Sequence, residues 1–433
     1  METVVVSASR AERSWLTTPA AATTLSSESQ LPGLRMDSAE LLQGMPGLQV
    51  DSRSNFAQDT RLVLRGFGAR SAFGVRGMAV RLDNIPLSMP DGQAQLGSVV
   101  LDEIASVEVL RGPLASLYGN GAGGVVLLKT QAPTEDELRL GLNAGSYDSH
   151  REKLSGTWRS GAWGLRAQAN QLKSDGFREH SAVERQQGGV QLYYEGDDGL
   201  EVTLRVDASR DPETLDPSGL TPQQWREDPE QVQDRIVDFN TRKQLKHRQF
   251  SLNLDKAVSS GTWQMVAWRG WRDVDQWLAF EGAPEEDSPY ASGGVIDLDR
   301  EFQGVQGSYQ HRATVAARPW STTVGVSIEQ MDDRRRGYVN DFGEAGDLRR
   351  DETGSVDSRD LFALVEWQPR DSLVLLGGLR HSRAEFSVDD SYETSIWSDH
   401  IFTSPRHIPD YADFLIFHSA FPGMYYPSVH LLP

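Results

Sequence analysis

VEVLRGP at Val107–Pro113 and LYGNGAGGVVLLKT at Leu117–Thr130 close a stretch, Leu62–Thr130, whose reading decides the fold. Before them stand LRGFG at Leu64–Gly68, RLDNIP at Arg81–Pro86 and MPDGQ at Met89–Gln93. Four short apolar runs alternate with Gly, Pro, Asn and Asp, the pattern of a compact domain of short strands and tight turns. Pro113 sits where a helix tolerates proline and Gly119 where one ends, so Gly112–Gly119 predicts one or two helical turns. Gly119-x-Gly121-x-x-Gly124 matches the dinucleotide fingerprint by letter only. That motif follows a strand and opens a helix, whereas this one follows a helical turn and opens the strand Val125–Leu128. Glycine that permits a tight backbone bend is the better account.

Outward from that stretch, Asp37–Gly44 predicts a short helix, with Asp37 as cap, Glu40 completing a capping box and Gly44 as stop. Met45–Val50 leads into a strand. Glu2-Thr3-Val4-Val5-Val6-Ser7 is a strand-forming run with no mate in the sequence. It is either an N-terminal strand of the following domain or a segment that adds a strand to another protein's sheet edge.

From Glu135 the texture changes to segments of about ten residues in which apolar and polar side chains alternate, as in barrel strands. Leu200–Asp207, Phe250–Asp255 and Val324–Glu329 are the clearest, and about eleven such segments fall between Leu138 and Phe386. Trp263, Trp268, Trp271 and Trp277 are expected near strand ends. Connections alternate in length. Arg159–Trp163, Glu195–Gly199, Val258–Gly261 and Pro369–Ser372 are short; Lys173–Gln186, Arg210–Lys246, Asp273–Arg300 and Asp333–Arg359 are long. A barrel with tight turns on one side and loops on the other keeps that rhythm. A propeller would repeat every ~40–45 residues, and no such repeat is present.

Composition excludes several functions. The chain has 433 residues, a formal net charge of −19 and no cysteine. The charge argues against nucleic acid. Without cysteine there is no thiolate metal site and no cysteine nucleophile. No Gly-x-Ser-x-Gly elbow or His-Glu-x-x-His helix occurs, so neither an enzyme, a metal centre nor a cofactor is expected. No run of about 18 apolar residues exists, so no transmembrane helix is expected. No leader with a cleavage site is legible at the N-terminus.

Together the valine run, the RGFG, LDNIP, VEVLRGP and LYGNGAGGV signatures and the alternating segments resemble a TonB-dependent outer-membrane receptor. The resemblance implies an α+β plug domain followed by an antiparallel transmembrane β-barrel. It divides the chain into a TonB box segment at 1–10, a plug at 11–134, a partial barrel at 135–388 and an aberrant tail at 389–433. Glu2–Ser7 would be the TonB box, and Arg65, Gly66, Arg111, Gly112, Gly119, Gly123 and Gly124 structural plug residues. PGLQV, RGFGARSAFGVRG, MPDGQAQ, the RGY at Arg336–Tyr338 and LRRDE at Leu348–Glu352 are similar to the receptor type that imports pyrroloquinoline quinone. That solute carries three carboxylates, which guanidinium forks bind well. Arg70, Arg76, Asp91, Gln93, Arg336 and Arg349 are therefore the expected ligand residues; a solvated Arg-rich loop, or one pairing with lipopolysaccharide phosphates, is the plainer reading of the last two. A ferric-siderophore receptor and a secreted β-rich binding protein remain as alternatives.

The chain also departs from that family. A barrel that holds a plug needs about 22 strands, and about eleven are legible. Ser391–Pro433 has almost no alternation and reads as out-of-frame sequence. A half-barrel that does not transport is the expectation.

Overall fold

In the computed structural model, residues 21–26, 34–52, 55–71, 74–119, 121–130, 132–282 and 292–392 are described, together with short backbone segments nearer the termini. Asp37 caps the helix Ser38–Leu42, and its capping box with Glu40 is formed. The 3-10 turn Pro113–Tyr118 precedes the strand Val125–Thr130. That strand lies between Ile104–Arg111, antiparallel, and Ala79–Leu82, parallel, in a five-stranded sheet. Leu62, Leu64, Val75, Met78, Val80, Val107, Val109, Val126 and Leu128 fill one core. Gly124 must be glycine: its φ is +152, and a Cβ there would lie 2.4 Å from Leu64 Cδ2 and 2.7 Å from the Leu110 carbonyl oxygen.

Eleven antiparallel strands follow in chain order: β1 (Glu137–Ala144), β2 (His150–Ser160), β3 (Trp163–Ser174), β4 (Val183–Glu195), β5 (Leu200–Leu215), β6 (Arg242–Val258), β7 (Gly261–Trp277), β8 (Val295–Val315), β9 (Arg318–Asp341), β10 (Glu344–Arg370) and β11 (Leu373–Asp390). Each pairs with the next, the simplest order for strands joined by hairpins. At one short turn, Ala316 and Ala317 take φ of 51 and 58, the positive values of a type I′ hairpin.

Alternation sets the two faces apart. Leu204, Phe250 and Ile328 point outward at 49%, 52% and 45% exposure, while their neighbours Arg205, Gln249 and Ser327 are 2%, 5% and 3% exposed. Apolar side chains thus face out and polar ones face in, the inverse of a soluble sheet protein. The inward face carries the small domain. Ile85 packs with Val266, Trp268, Phe302, Met331 and Val356 of the sheet. Leu110, Leu114, Leu117 and Leu127 pack with Phe362, Leu364 and Leu376. Arg380 Nη1 donates to the Leu117 carbonyl at 2.8 Å, and Arg81 Nη2 to Gln306 Oε1 at 2.9 Å.

Four expectations are corrected. Asp333–Arg359 is not a loop: β9 and β10, 24 and 27 residues long, run on to a turn at Phe342–Gly343. The ion pair Arg334–Asp351 links β9 to β10 and Arg336–Asp297 links β9 to β8, so these charged strands extend without an apolar face. Trp268 is not at a strand end; it is buried against Ile85, while Trp263 stacks on Tyr309 at the short-turn end, centroids 4.4 Å apart. The valine run has a mate, since Val5 and Val6 pair with Ser14 and Arg13. Glu2, Thr3, Val4 and Ser7 lie outside the described residues. Finally, the tail holds the backbone strand Ile408–Phe421, antiparallel to β11, where an apolar Phe-Leu-Ile-Phe run supplies β-propensity without alternation.

Candidate ligand site between the plug loop and the sheet

The loop 88–99 is held from within. Met89 N donates to the Gln93 carbonyl at 2.8 Å and Gly92 N to the Met89 carbonyl at 2.8 Å. Gln93 N donates to Asp91 Oδ1 at 3.0 Å. Arg76 and Gln93 are register partners in a two-stranded ladder. Gly74 lets the strands close up, because a Cβ there would sit 2.5 Å from the Ala94 carbonyl oxygen.

Of the six expected ligand residues, the structure brings three together. Asp91 lies 3.8 Å from Arg76 Nη2 and 3.7 Å from Arg300 Nη2 on β8. Arg300 also grips Asp333 through two hydrogen bonds of 2.6 and 2.5 Å. Arg70 is exposed, and no described contact joins it to that group. Arg336 sits on β9, bound to Asp297 and Asp299. Arg349 is on β10 over the Tyr392 ring, 5.8 Å from its centroid. Neither of the last two reaches the loop by any described contact.

Beneath the loop is a small cavity. Met89, Gln93, Gln95, Ser98 and Val99 form its roof, and Arg205, Asp207, His247, Gln249, Arg272 and Arg300 its floor. Sequence reading did not single out Arg272, His247 or Arg300. The one available signal was phase: all three are on the inward face of an alternating strand.

Lower down, Glu103 of the small domain is ion-paired with Arg205 of β5 and accepts a 2.7 Å hydrogen bond from Gln191. Asp207 and Asp83 crowd the same guanidinium. Burial pushes the Glu103 carboxyl up to about 7 against the pull of Arg205, and Asp207 and Asp83 push the same way. Asp102 binds Arg151 and Lys153 at 2.5 and 2.8 Å, and Asp59 binds Lys243 at 3.1 Å. The domain is therefore fastened to the sheet by hydrophobic contacts and by a row of ion pairs. No described cluster of His, Asp and Glu could hold a metal ion.

Residues 16–126 match the family model described as TonB-dependent Receptor Plug Domain. The small domain is such a plug, and the large sheet is built like the barrels of TonB-dependent receptors. The ferric citrate transporter FecA in its unliganded form is similar over 94% of this chain and 61% of its own, with a TM-score of 0.78 and 16% identity. The ferric yersiniabactin uptake receptor FyuA of Yersinia pestis matches with a TM-score of 0.68, 13% identity and coverage of 94% and 62%. At these identities the likeness is one of fold. In sequence, the vitamin B12 transporter of Vibrio vulnificus (strain YJ016) is 30% identical over 185 residues, 41% of this chain and 28% of its own length. A hemin receptor of Yersinia pestis is 32% identical over 148 residues, 33% of this chain and 20% of its own. The chain thus spans under a third of these curated relatives and about three-fifths of the solved structures. These relatives are transporters and receptors, not enzymes.

Proposed function

We propose that this chain forms the plug and part of the wall of an outer-membrane receptor for uptake of a scarce anionic solute, pyrroloquinoline quinone. Energy would come from TonB, which adds residues 2–7 to its own sheet edge. The observation that carries this reading is the plug seated on the polar face of a sheet whose other face is apolar. Water would fill the inner side and lipid meet the outer one. The charged outer hairpin of β9 and β10 would stand in lipopolysaccharide. At the plug apex, Arg76 offers a guanidinium to carboxylates, with Asp91 as the group a solute carboxylate displaces.

The ferric-siderophore reading has one observation in its favour: the solved receptors of similar fold include ferric-chelate transporters. Tryptophan fluorescence of the detergent-refolded chain separates the two. Titration with pyrroloquinoline quinone is expected to quench saturably, with at least tenfold weaker affinity in R76Q, and ferric citrate to have no effect. Saturable binding of ferric citrate with none of the quinone would overturn the assignment.

A further inference from the structure

The geometry points to a second anion site in the cavity beneath the loop 88–99, where Arg272 holds one small anion of carboxylate size. Arg272 is 2% exposed. Its Nη1 donates to Ser98 Oγ at 2.8 Å, and its Nε and Nη2 are buried with no acceptor. The other two guanidiniums of the cavity are occupied. Arg205 is bound to Glu103 and Asp207, and Arg300 to Asp333. Arg272 alone among the cavity's guanidiniums lacks a carboxylate, although it lies in an inner row of matched pairs.

The nearby carboxylates are bound to other cations. Asp59 and Asp211 attract Arg272 from a distance, but Asp59 is taken by Lys243 at 3.1 Å and Asp211 by Arg185 at 2.8 Å. Arg300 and Arg185 repel it. Asp207, on the cavity floor, is held by Arg205. A buried donor pair without an acceptor is costly, and a guanidinium edge presents those donors as a fork that matches a carboxylate. Gln95 Oε1 and His247 Nδ1 also lack partners, so a water accompanying the anion would have groups to bind. The cavity volume open to the centres of water-sized groups, about 30 Å³, is room for a group of a few atoms, which suits one carboxylate or halide. Either a free small anion or one carboxylate of a passing solute fits this chemistry. The site does not depend on which solute the receptor takes up.

Equilibrium dialysis of the full chain in detergent with ¹⁴C-formate tests it. One formate per chain is expected. R272Q should weaken binding at least tenfold, and R272K should restore part of it. Circular dichroism and melting of both variants identify any that fail to fold. If R272Q does not fold, competition decides: bromide must displace formate from the wild-type chain in a one-to-one manner. Displacement by pyrroloquinoline quinone supports the site and assigns it to a solute carboxylate; persistence of formate against the quinone supports it as a site for a free anion. No saturable formate binding by the wild-type chain, or equal binding by folded R272Q, overturns the proposal.

Discussion

Glu103 on the plug and Arg205 on the sheet form an ion pair whose two side chains are each 1% exposed. Arg205 also faces Asp207 and Asp83, so removing it leaves a buried group of carboxylates without its counter-charge, at a cost of about 3–5 kcal/mol. R205M should therefore loosen the plug, seen as a lower melting temperature and faster proteolysis between 16 and 130. E103Q should cost less, since the amide still bonds Gln191. Equal, small effects of both changes would mean that the pair does not fasten the plug.

The same carboxyl makes docking pH-dependent. Held at about 7 against an ordinary 4.5, Glu103 binds more protons in the folded chain than in the unfolded one between those values. Its stabilising contribution is therefore full below pH 4.5 and is lost as the pH rises through about 7. Melting temperatures from pH 4.5 to 8 should show this fall in the wild-type chain and a flatter profile in E103Q. Identical profiles would contradict the assignment.

Two plug glycines should respond differently to a methyl group. At Gly112 the φ is +94 and a Cβ meets nothing within 4 Å, so G112A carries only backbone strain, about 1 kcal/mol. At Gly124 a Cβ would also strike Leu64 and the Leu110 carbonyl, adding about 1–3 kcal/mol of overpacking. Thermal unfolding should rank G124A well below G112A, and the reverse order would refute this packing account.

The coupling role proposed for residues 2–7 is tested at Val5. Proline there removes a ladder donor. Biolayer interferometry with the periplasmic domain of TonB should show binding to the wild-type chain and none to V5P, while quinone quenching stays unchanged. Undiminished TonB binding by V5P would remove residues 2–7 from the coupling role.

The free edge of β1 limits what this chain does alone. Among the described residues, β1 pairs only with β2, so its outer edge carries unpaired backbone groups. In hydrocarbon each costs several kcal/mol. Cells carrying only these 433 residues should accumulate no quinone above a receptor-null strain. Energy-dependent accumulation would show that the edge finds a partner.

Much of this was legible because it is local. The capping box at Asp37 and Glu40 spans three residues, and the alternation in Leu200–Asp207 needs only a period of two to place Arg205 inward. What escaped depends on distance. The bond from Arg272 to Ser98 joins positions 174 apart in sequence, and nothing around Arg272 announces it. The outer halves of β9 and β10 escaped for another reason. Charged residues stand on both faces of these segments, so the apolar period that marks a strand is missing, and ion pairs to neighbouring strands replace it.

The central claim is that the sheet meets lipid on one face and plug on the other. The chain has no cysteine, so single spin labels can be placed cleanly at Leu204, Phe250 and Ile328, and at Ser209, Ser251 and Ser327. In detergent micelles, the first three should be accessible to oxygen and shielded from an aqueous nickel chelate. The second three should be shielded from both while the plug is docked. Nickel accessibility at Leu204, Phe250 and Ile328 equal to that of a label at Trp225, 55% exposed on the short helix Pro222–Glu227 between β5 and β6, would contradict the claim.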